Sequence, residues 1–347
     1  MSSPSPERLA RRARERAIRR RRTGAAVVLA ACAGLLAWLV LDGGGTRTGA
    51  GRPASSARRR SAAVRVAVSV TGALPAPVQD AASAPDPRGG GVLLAGGLDG
   101  SEASVADVLR IAGAGASSIG SLPSPLHDGC AATLGGTVYV FGGGEQTSFS
   151  GILRLTGGGS AEAIGSLPAP ASDLACATLG GTVYLIGGYT GSEPLRTILA
   201  WRPGGTPRLV GTLPKPLRYA AVGVLGGRIL IAGGTSGVQA SREVYVFDPA
   251  GGGVRELARL PHAVTHAAGA SLGGALLVIG GRGEQPGSQR RGIIAITATG
   301  SVSSAGLLPR ALSDLAAAAS GGTVILAGGA DRSGSPVAQI LTLRLTG

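Results

Sequence analysis

The sequence predicts an all-β chain: a six-bladed β-propeller closed by its own N-terminal strand and preceded by a single transmembrane helix. Three observations predict it. A short apolar strand ending in a glycine pair occurs six times, at Val92-Leu-Leu-Ala-Gly-Gly97, Thr137-Val-Tyr-Val-Phe-Gly-Gly143, Val183-Tyr-Leu-Ile-Gly-Gly188, Ile229-Leu-Ile-Ala-Gly-Gly234, Leu277-Val-Ile-Gly-Gly281 and Val324-Ile-Leu-Ala-Gly-Gly329. The first glycines step by 46, 45, 46, 47 and 48 residues, and a fixed period in this range marks a repeat architecture. A Leu-Pro pair precedes every copy, 20 residues upstream in five units and 22 in the first, where Pro85-Asp86-Pro87 carries an insertion. Finally, the last repeat stops one strand short, and a spare strand stands ahead of the first.

From the N-terminus, residues 1–23 form a basic tail with Arg8, Arg11, Arg12, Arg14, Arg16 and Arg19 to Arg22 against Glu7 and Glu15. Residues 24–41 (GAAVVLAACAGLLAWLVL) carry no charge. As a helix they span about 27 Å, close to a hydrocarbon core of roughly 30 Å. Trp38 near the far end suits the interface, and the preceding arginines place the N-terminus in the cytoplasm. The expected protein is therefore single-pass, with a signal anchor at 24–41, anionic lipid against Arg8 to Arg22, and everything after Asp42 outside. A cleaved signal peptide and a lipoprotein, the latter from Leu29-Ala-Ala-Cys32, stay open as alternatives. Residues 42–63 are rich in Gly, Ser, Ala and Arg without apolar periodicity, the composition of a flexible linker.

The net charge of +14 does not imply a nucleic-acid partner. Of 33 Lys and Arg, 15 lie at or before Arg65, against three acids; the remainder is nearly balanced. The excess belongs beside a membrane surface.

Within a unit the pattern is strands and turns. In the second, Cys130 to Leu134, the Gly135-Gly136 turn, Thr137 to Phe141, Ile152 to Thr156 and Ala161 to Gly165 give four short strands, as in one propeller blade. Leu of Leu-Pro is expected to pack between blades, and Pro to end the fourth strand by removing a donor. The C-terminal Thr342-Leu-Arg-Leu-Thr-Gly347 matches Ile152-Leu-Arg-Leu-Thr-Gly157, so the sixth unit ends after its third strand. Val64-Arg-Val-Ala-Val-Ser-Val70 alternates apolar and polar residues and runs into Leu74-Pro75. Residues 64–70 are thus predicted to be the outer strand of the last blade, which makes 64–347 one closed ring and leaves no sheet edge open there.

Gly-Gly after an aliphatic-aromatic strand, followed by a strand such as Glu243-Val-Tyr-Val-Phe-Asp-Pro249, resembles the kelch repeat over residues 64–347. The fourth-strand Trp of many kelch repeats is missing, with Val254 in its region. The Arg after Leu-Pro-x-Pro is replaced by Leu126, Ala171 and Leu217. The resemblance implies a kelch-like propeller acting as a binding or scaffolding module for an extracytoplasmic protein or glycan. Its enzymatic alternative is an envelope carbohydrate-active enzyme of the sialate mutarotase type, although no residue matches such a site one-to-one. The copper chemistry of some kelch propellers needs paired Tyr and His ligands and a modified Cys; Tyr139 and Tyr184 hold equivalent strand positions and read as core. No cofactor and no metal site are expected, and no nucleophile–base pair, P-loop or dinucleotide fingerprint is present.

Six residues beyond each Leu of Leu-Pro stand Asp80, Asp128, Asp173, Tyr219, His266 and Asp314. The resemblance places this position at the start of the innermost strand, near one mouth of the channel. Six polar side chains converging there, with His127, Arg218, His262 and Arg310 beside them, form the candidate ligand rim. The competing reading is that each Asp caps its own turn. Cys130 and Cys176 lie eight and nine residues after their Leu, in first strands of neighbouring blades and with opposite parity. They meet if those faces look at each other across the interface, and cannot meet otherwise.

Overall fold

The computed structural model describes residues 63–157, 159–237 and 239–346, and the basic tail, the apolar run 24–41 and nearly all of the linker lie outside them. The described chain forms six four-stranded antiparallel sheets, each following the next in sequence. Blades 1 to 5 occupy residues 82–121, 127–166, 175–212, 221–264 and 268–307. Blade 6 takes three strands from the C-terminus, Ala316–Ser320, Thr323–Ala327 and Gln339–Leu345, and its outer strand from the N-terminus, Val66–Ala73. Val66 faces Leu345, Val68 faces Leu343 and Val70 faces Leu341, as the closure predicted from sequence requires. The observed strand starts two residues later and runs three further than 64–70, because the register slips between Val70 and Gly72 and pairing resumes beyond it.

The glycine pairs turn out to be joints between blades. The N–H of the second glycine donates to a carbonyl of the segment that leads into the next blade: Gly97 to Leu126 at 2.8 Å, Gly143 to Ala171, Gly188 to Leu217, Gly234 to Val264 and Gly281 to Leu312 at 2.9 Å. Gly329 closes the ring by donating to Val78 at 2.8 Å. A Cβ on the first glycine of any pair would strike that same carbonyl, and both glycines have positive φ, so no other residue fits. This also explains why Leu126, Ala171 and Leu217 can depart from the kelch pattern. The position is used through its backbone oxygen, while the side chain is buried.

The apolar core is divided into six clusters, one in each wedge between neighbouring blades. Leu74, Leu122, Leu167, Leu213, Leu260 and Leu308 are at most 5% exposed, so the Leu of Leu-Pro does pack between blades. Arg196, Arg242 and Arg291 donate from Nε to the carbonyls of Leu213, Leu260 and Leu308, fixing the chain reversal in blades 3 to 5. Pro does not always end the outer strand. In blade 4 the strand Gly253–Val264 continues through Pro261, because shifts of register free its missing donor from the ladder. Tyr139 and Tyr184 are core residues, packed edge-to-face on Trp201 and Phe247.

The first strands of blades 2 and 3 do look at each other. Cys130 and Cys176 are joined as a disulfide with Cα atoms 5.9 Å apart, inside the usual bridging range. Opposite parity is what brings them together, since facing sheets present opposite faces to one wedge.

Candidate functional site

Asp80, Asp128, Asp173, Tyr219, His266 and Asp314 all line one cavity of about 110 Å³ on the ring axis. Each has a left-handed backbone, with φ between 55° and 58°. The reason is a second ring of backbone hydrogen bonds inside the first. Asp128 N–H donates to the Asp80 carbonyl at 3.0 Å, Asp173 to Asp128 at 2.8 Å and Tyr219 to Asp173 at 3.0 Å. Asp314 donates to His266 at 3.0 Å and Asp80 to Asp314 at 3.1 Å. Recurrence at this position is thus architectural at the level of the backbone. Asp and His are found in the left-handed region more often than other side chains; Tyr there costs of order 1–3 kcal/mol.

The side chains do not simply cap their own turns. Asp314 takes a hydroxyl from its neighbour, Ser313, at 2.5 Å. Asp128 accepts from the Tyr219 hydroxyl at 3.0 Å, across the channel from blade 4 to blade 2. Asp173 is ion-paired to Arg218 of the next blade, with its carboxylate 2% exposed. Burial, then repulsion from neighbouring carboxylates, pushes Asp80 and Asp128 well above the usual carboxylate range. Asp173 and Asp314 are also raised by burial, and opposed by Arg218 and Ser313 respectively. Burial and the neighbouring carboxylates thus favour the protonated form of Asp80, beside Asp314, and of Asp128, beside Asp173. Among the described residues no group of three or more His, Cys, Asp or Glu has metal-binding geometry.

The other side of the mouth is built differently. No bond among the described residues links the His266 N–H to the Tyr219 carbonyl; instead the two rings stack, centroids 3.6 Å apart. Beside them a cleft of about 310 Å³ opens between blades 4 and 5, lined by Arg218, Thr235, Thr265, His266, Arg282 and Glu284 among others. His266 accepts no proton at ordinary pH. Burial, then Arg282 and Arg218, hold it down at about 2. Its Nε2 lies 3.1 Å from the Arg282 guanidinium and so accepts; its Nδ1–H lies 3.0 Å from the Thr265 hydroxyl. Arg218 lies over the Tyr189 and Tyr219 rings at 4.2 and 4.9 Å, and its buried Nε has no hydrogen-bond partner among the described residues.

Of the residues expected at the rim, the six axial ones and Arg218 come together. His127 stands just outside, its Nε2 3.7 Å from Asp128 and its Nδ1 2.9 Å from the Ser104 hydroxyl. Arg310 stays away, bound to Asp331 at 2.5 Å and lining neither mouth cavity. His262 is also elsewhere, near Arg290 and Arg242. Counting from Leu-Pro alone misses Arg282, Tyr189 and Glu284. A second count would have found two of them. The residue two beyond the first glycine of each pair bridges back to the rim segment, and in that column stand Tyr189 and Arg282.

A six-fold ring of four-stranded sheets, joined by glycine pairs and open at one polar mouth, defines the class of β-propellers made from tandem repeats. The Kelch motif family model matches residues 170–204 and 216–260, and together with the ring it supports a kelch-repeat propeller. Among solved structures, one described as "Structure of YjhT" is similar at a TM-score of 0.70, covering 80% of this chain and all of that one at 16% identity, a likeness of fold alone. No curated protein matches the sequence.

Proposed function

We propose that the protein is a membrane-anchored, extracytoplasmic binding module whose ligand is a small carboxylate-bearing molecule of the acidic-sugar class. The observation that carries this is the cleft between blades 4 and 5, where Arg218 and Arg282 flank a Tyr–His stack. Two guanidiniums suit a carboxylate, a stacked ring pair suits the apolar face of a sugar, and the free Arg218 Nε supplies a buried donor that needs an acceptor. The anchor reading rests on the uncharged run 24–41; the Cys130–Cys176 bridge supports an oxidising compartment.

A second reading, a sugar-converting enzyme of the mutarotase type, is favoured by the convergence of Arg, His and Glu284 in one cleft. Binding is the better account because His266 has both ring nitrogens engaged and stays neutral, which removes it as a proton carrier.

Calorimetric titration of the detergent-solubilised full chain with N-acetylneuraminate, glucuronate and glucose tests the proposal. The acidic sugars bind and glucose does not; Arg282→Ala weakens binding about tenfold or more, as loss of one charge-assisted pair implies, and Arg310→Ala leaves it unchanged. Equal binding of glucose, or an unaffected Arg282→Ala protein, sinks the reading. Accelerated anomer exchange of N-acetylneuraminate, lost in Glu284→Gln, establishes the enzyme instead.

A further inference from the structure

The two faces of the ring carry different charge. In each blade the chain enters the first strand at the mouth, so the turns between first and second and between third and fourth strands all lie on the opposite face. On this hairpin face Arg65, Arg88, Arg202, Arg208, Arg255 and Arg344 are exposed and have no carboxylate partner among the described residues. Its acids are already used: Asp86 pairs with Arg110, Glu162 with Arg154, Asp248 with Arg228 and Glu256 with Arg259. The mouth face is mixed: Glu102, Glu145, Glu193 and Glu284 are exposed in its loops and in no ion pair among the described residues, and so are Arg196, Arg242, Arg291 and Arg332. The near-neutral total for the ring therefore hides an arginine excess gathered on the hairpin face.

The hairpin face also holds a cleft of about 410 Å³ between blades 1 and 2, larger than the mouth cleft. Arg88, Arg110 and Arg154 line it above an apolar floor of Leu93, Ile119 and Val138. The insertion at Pro85-Asp86-Pro87, found in the first repeat alone, builds its wall. Asp86, buried, accepts from the Arg88 backbone N–H at 2.9 Å and from Arg110 Nε, orienting both. An apolar floor beneath arginines fits a headgroup phosphate with the start of its hydrocarbon behind it.

The point of chain entry selects the occupant. Arg65 lies on this face, its carbonyl accepting from Thr346 N–H at 3.0 Å. From there the sequence leads back through Arg58, Arg59 and Arg60 and a linker of 42–63 to the uncharged run 24–41. We infer that the hairpin face docks on a bilayer surface bearing anionic phospholipid, with a headgroup phosphate in the Arg88–Arg110–Arg154 cleft and the carboxylate-lined mouth turned outward. This goes beyond the ligand proposed for the mouth and rests on the anchor reading for the choice of a bilayer and the direction of approach.

The test uses the full chain with a site-specific protease sequence inserted between Gly51 and Arg52, reconstituted in vesicles of phosphatidylcholine alone or mixed with phosphatidylglycerol. Carbonate extraction before cleavage reports the anchor by itself. After cleavage, flotation reports the ring. The ring floats with the phosphatidylglycerol vesicles, stays free of neutral ones, and leaves as ionic strength rises. Replacing two arginines, Arg88→Glu with Arg154→Glu or Arg202→Glu with Arg208→Glu, lowers the bound-to-free ratio about tenfold or more, while Arg332→Glu on the mouth face changes nothing, as additive surface charge requires. A ring that is free of both vesicle types overturns the docking surface even when the anchor holds. An anchor that is extracted, beside a ring that still floats, overturns the anchor alone. Release by inorganic phosphate but not by chloride of equal ionic strength overturns the lipid in favour of a free-phosphate site.

Discussion

The two sides of the channel mouth share a backbone and differ in everything else. From Asp314 through Asp80 and Asp128 to Asp173, buried carboxyls are pushed toward the protonated form, and one arginine pairs with Asp173. At Tyr219 and His266 the same left-handed conformation holds two stacked rings beside an arginine-lined cleft. The comparison separates what the fold needs from what a ligand needs. The fold needs a left-handed residue at all six positions and uses the N–H of five; Asp supplies both cheaply. Tyr219 supplies them at a cost, and the side where that cost is accepted is the side with the cleft.

The largest way to break the contrast is at its seam. Asp173→Asn leaves the Arg218 guanidinium without an anion and lowers unfolding free energy by about 3–5 kcal/mol, read by urea titration. Adding Arg218→Gln recovers part of the loss; a double variant no better than the single one contradicts the pairing.

The two sides also answer pH with opposite sign. In the unfolded chain His266 takes up a proton near 6.5, whereas the folded protein holds it down at about 2. Its share of stability is present above 6.5 and falls as pH drops, by up to about 1.4 kcal/mol per pH unit. The carboxylates are raised from 3.8. Their share is present below 3.8 and is lost as pH rises through the raised folded values. His266→Asn should remove the first slope and leave the second, measured by thermal melts between pH 4 and 8.

Asp80→Asn keeps a donor toward Asp314 and removes a carboxyl whose ionisation the site opposes. It should raise stability at neutral pH by on the order of 1 kcal/mol; a loss of that size would contradict the upward shift of the Asp80 carboxyl. The smallest effect is Tyr219→Phe, which deletes the bonds to Asp128 and Arg218 and costs about 0.5–1.5 kcal/mol while keeping the stack.

Much of this was legible in the sequence. Leu-Pro to Gly-Gly at constant spacing carried the blade count, and the valine-rich strand facing Leu341, Leu343 and Leu345 carried the closure. Counting six from Leu named every axial residue, because a one-dimensional register maps directly onto a closed ring. Arg310 misled, since nearness in sequence to the rim does not say which way a side chain leaves the turn. Arg282 was missed because it reaches the site from the loop after the glycine pair, on the far side of the blade's first hairpin.

The sequence alone determined how many sheets there are, which ends join and which residue stands nearest the axis in each, since these follow from period and alternation. Only the tertiary structure decided which carboxylates are buried beside one another, that Cys130 and Cys176 face one wedge, and that an excess of arginine gathers on the hairpin face. Those depend on distances across blades and on which edge of a sheet a turn occupies, and neither is written in the spacing of a single repeat.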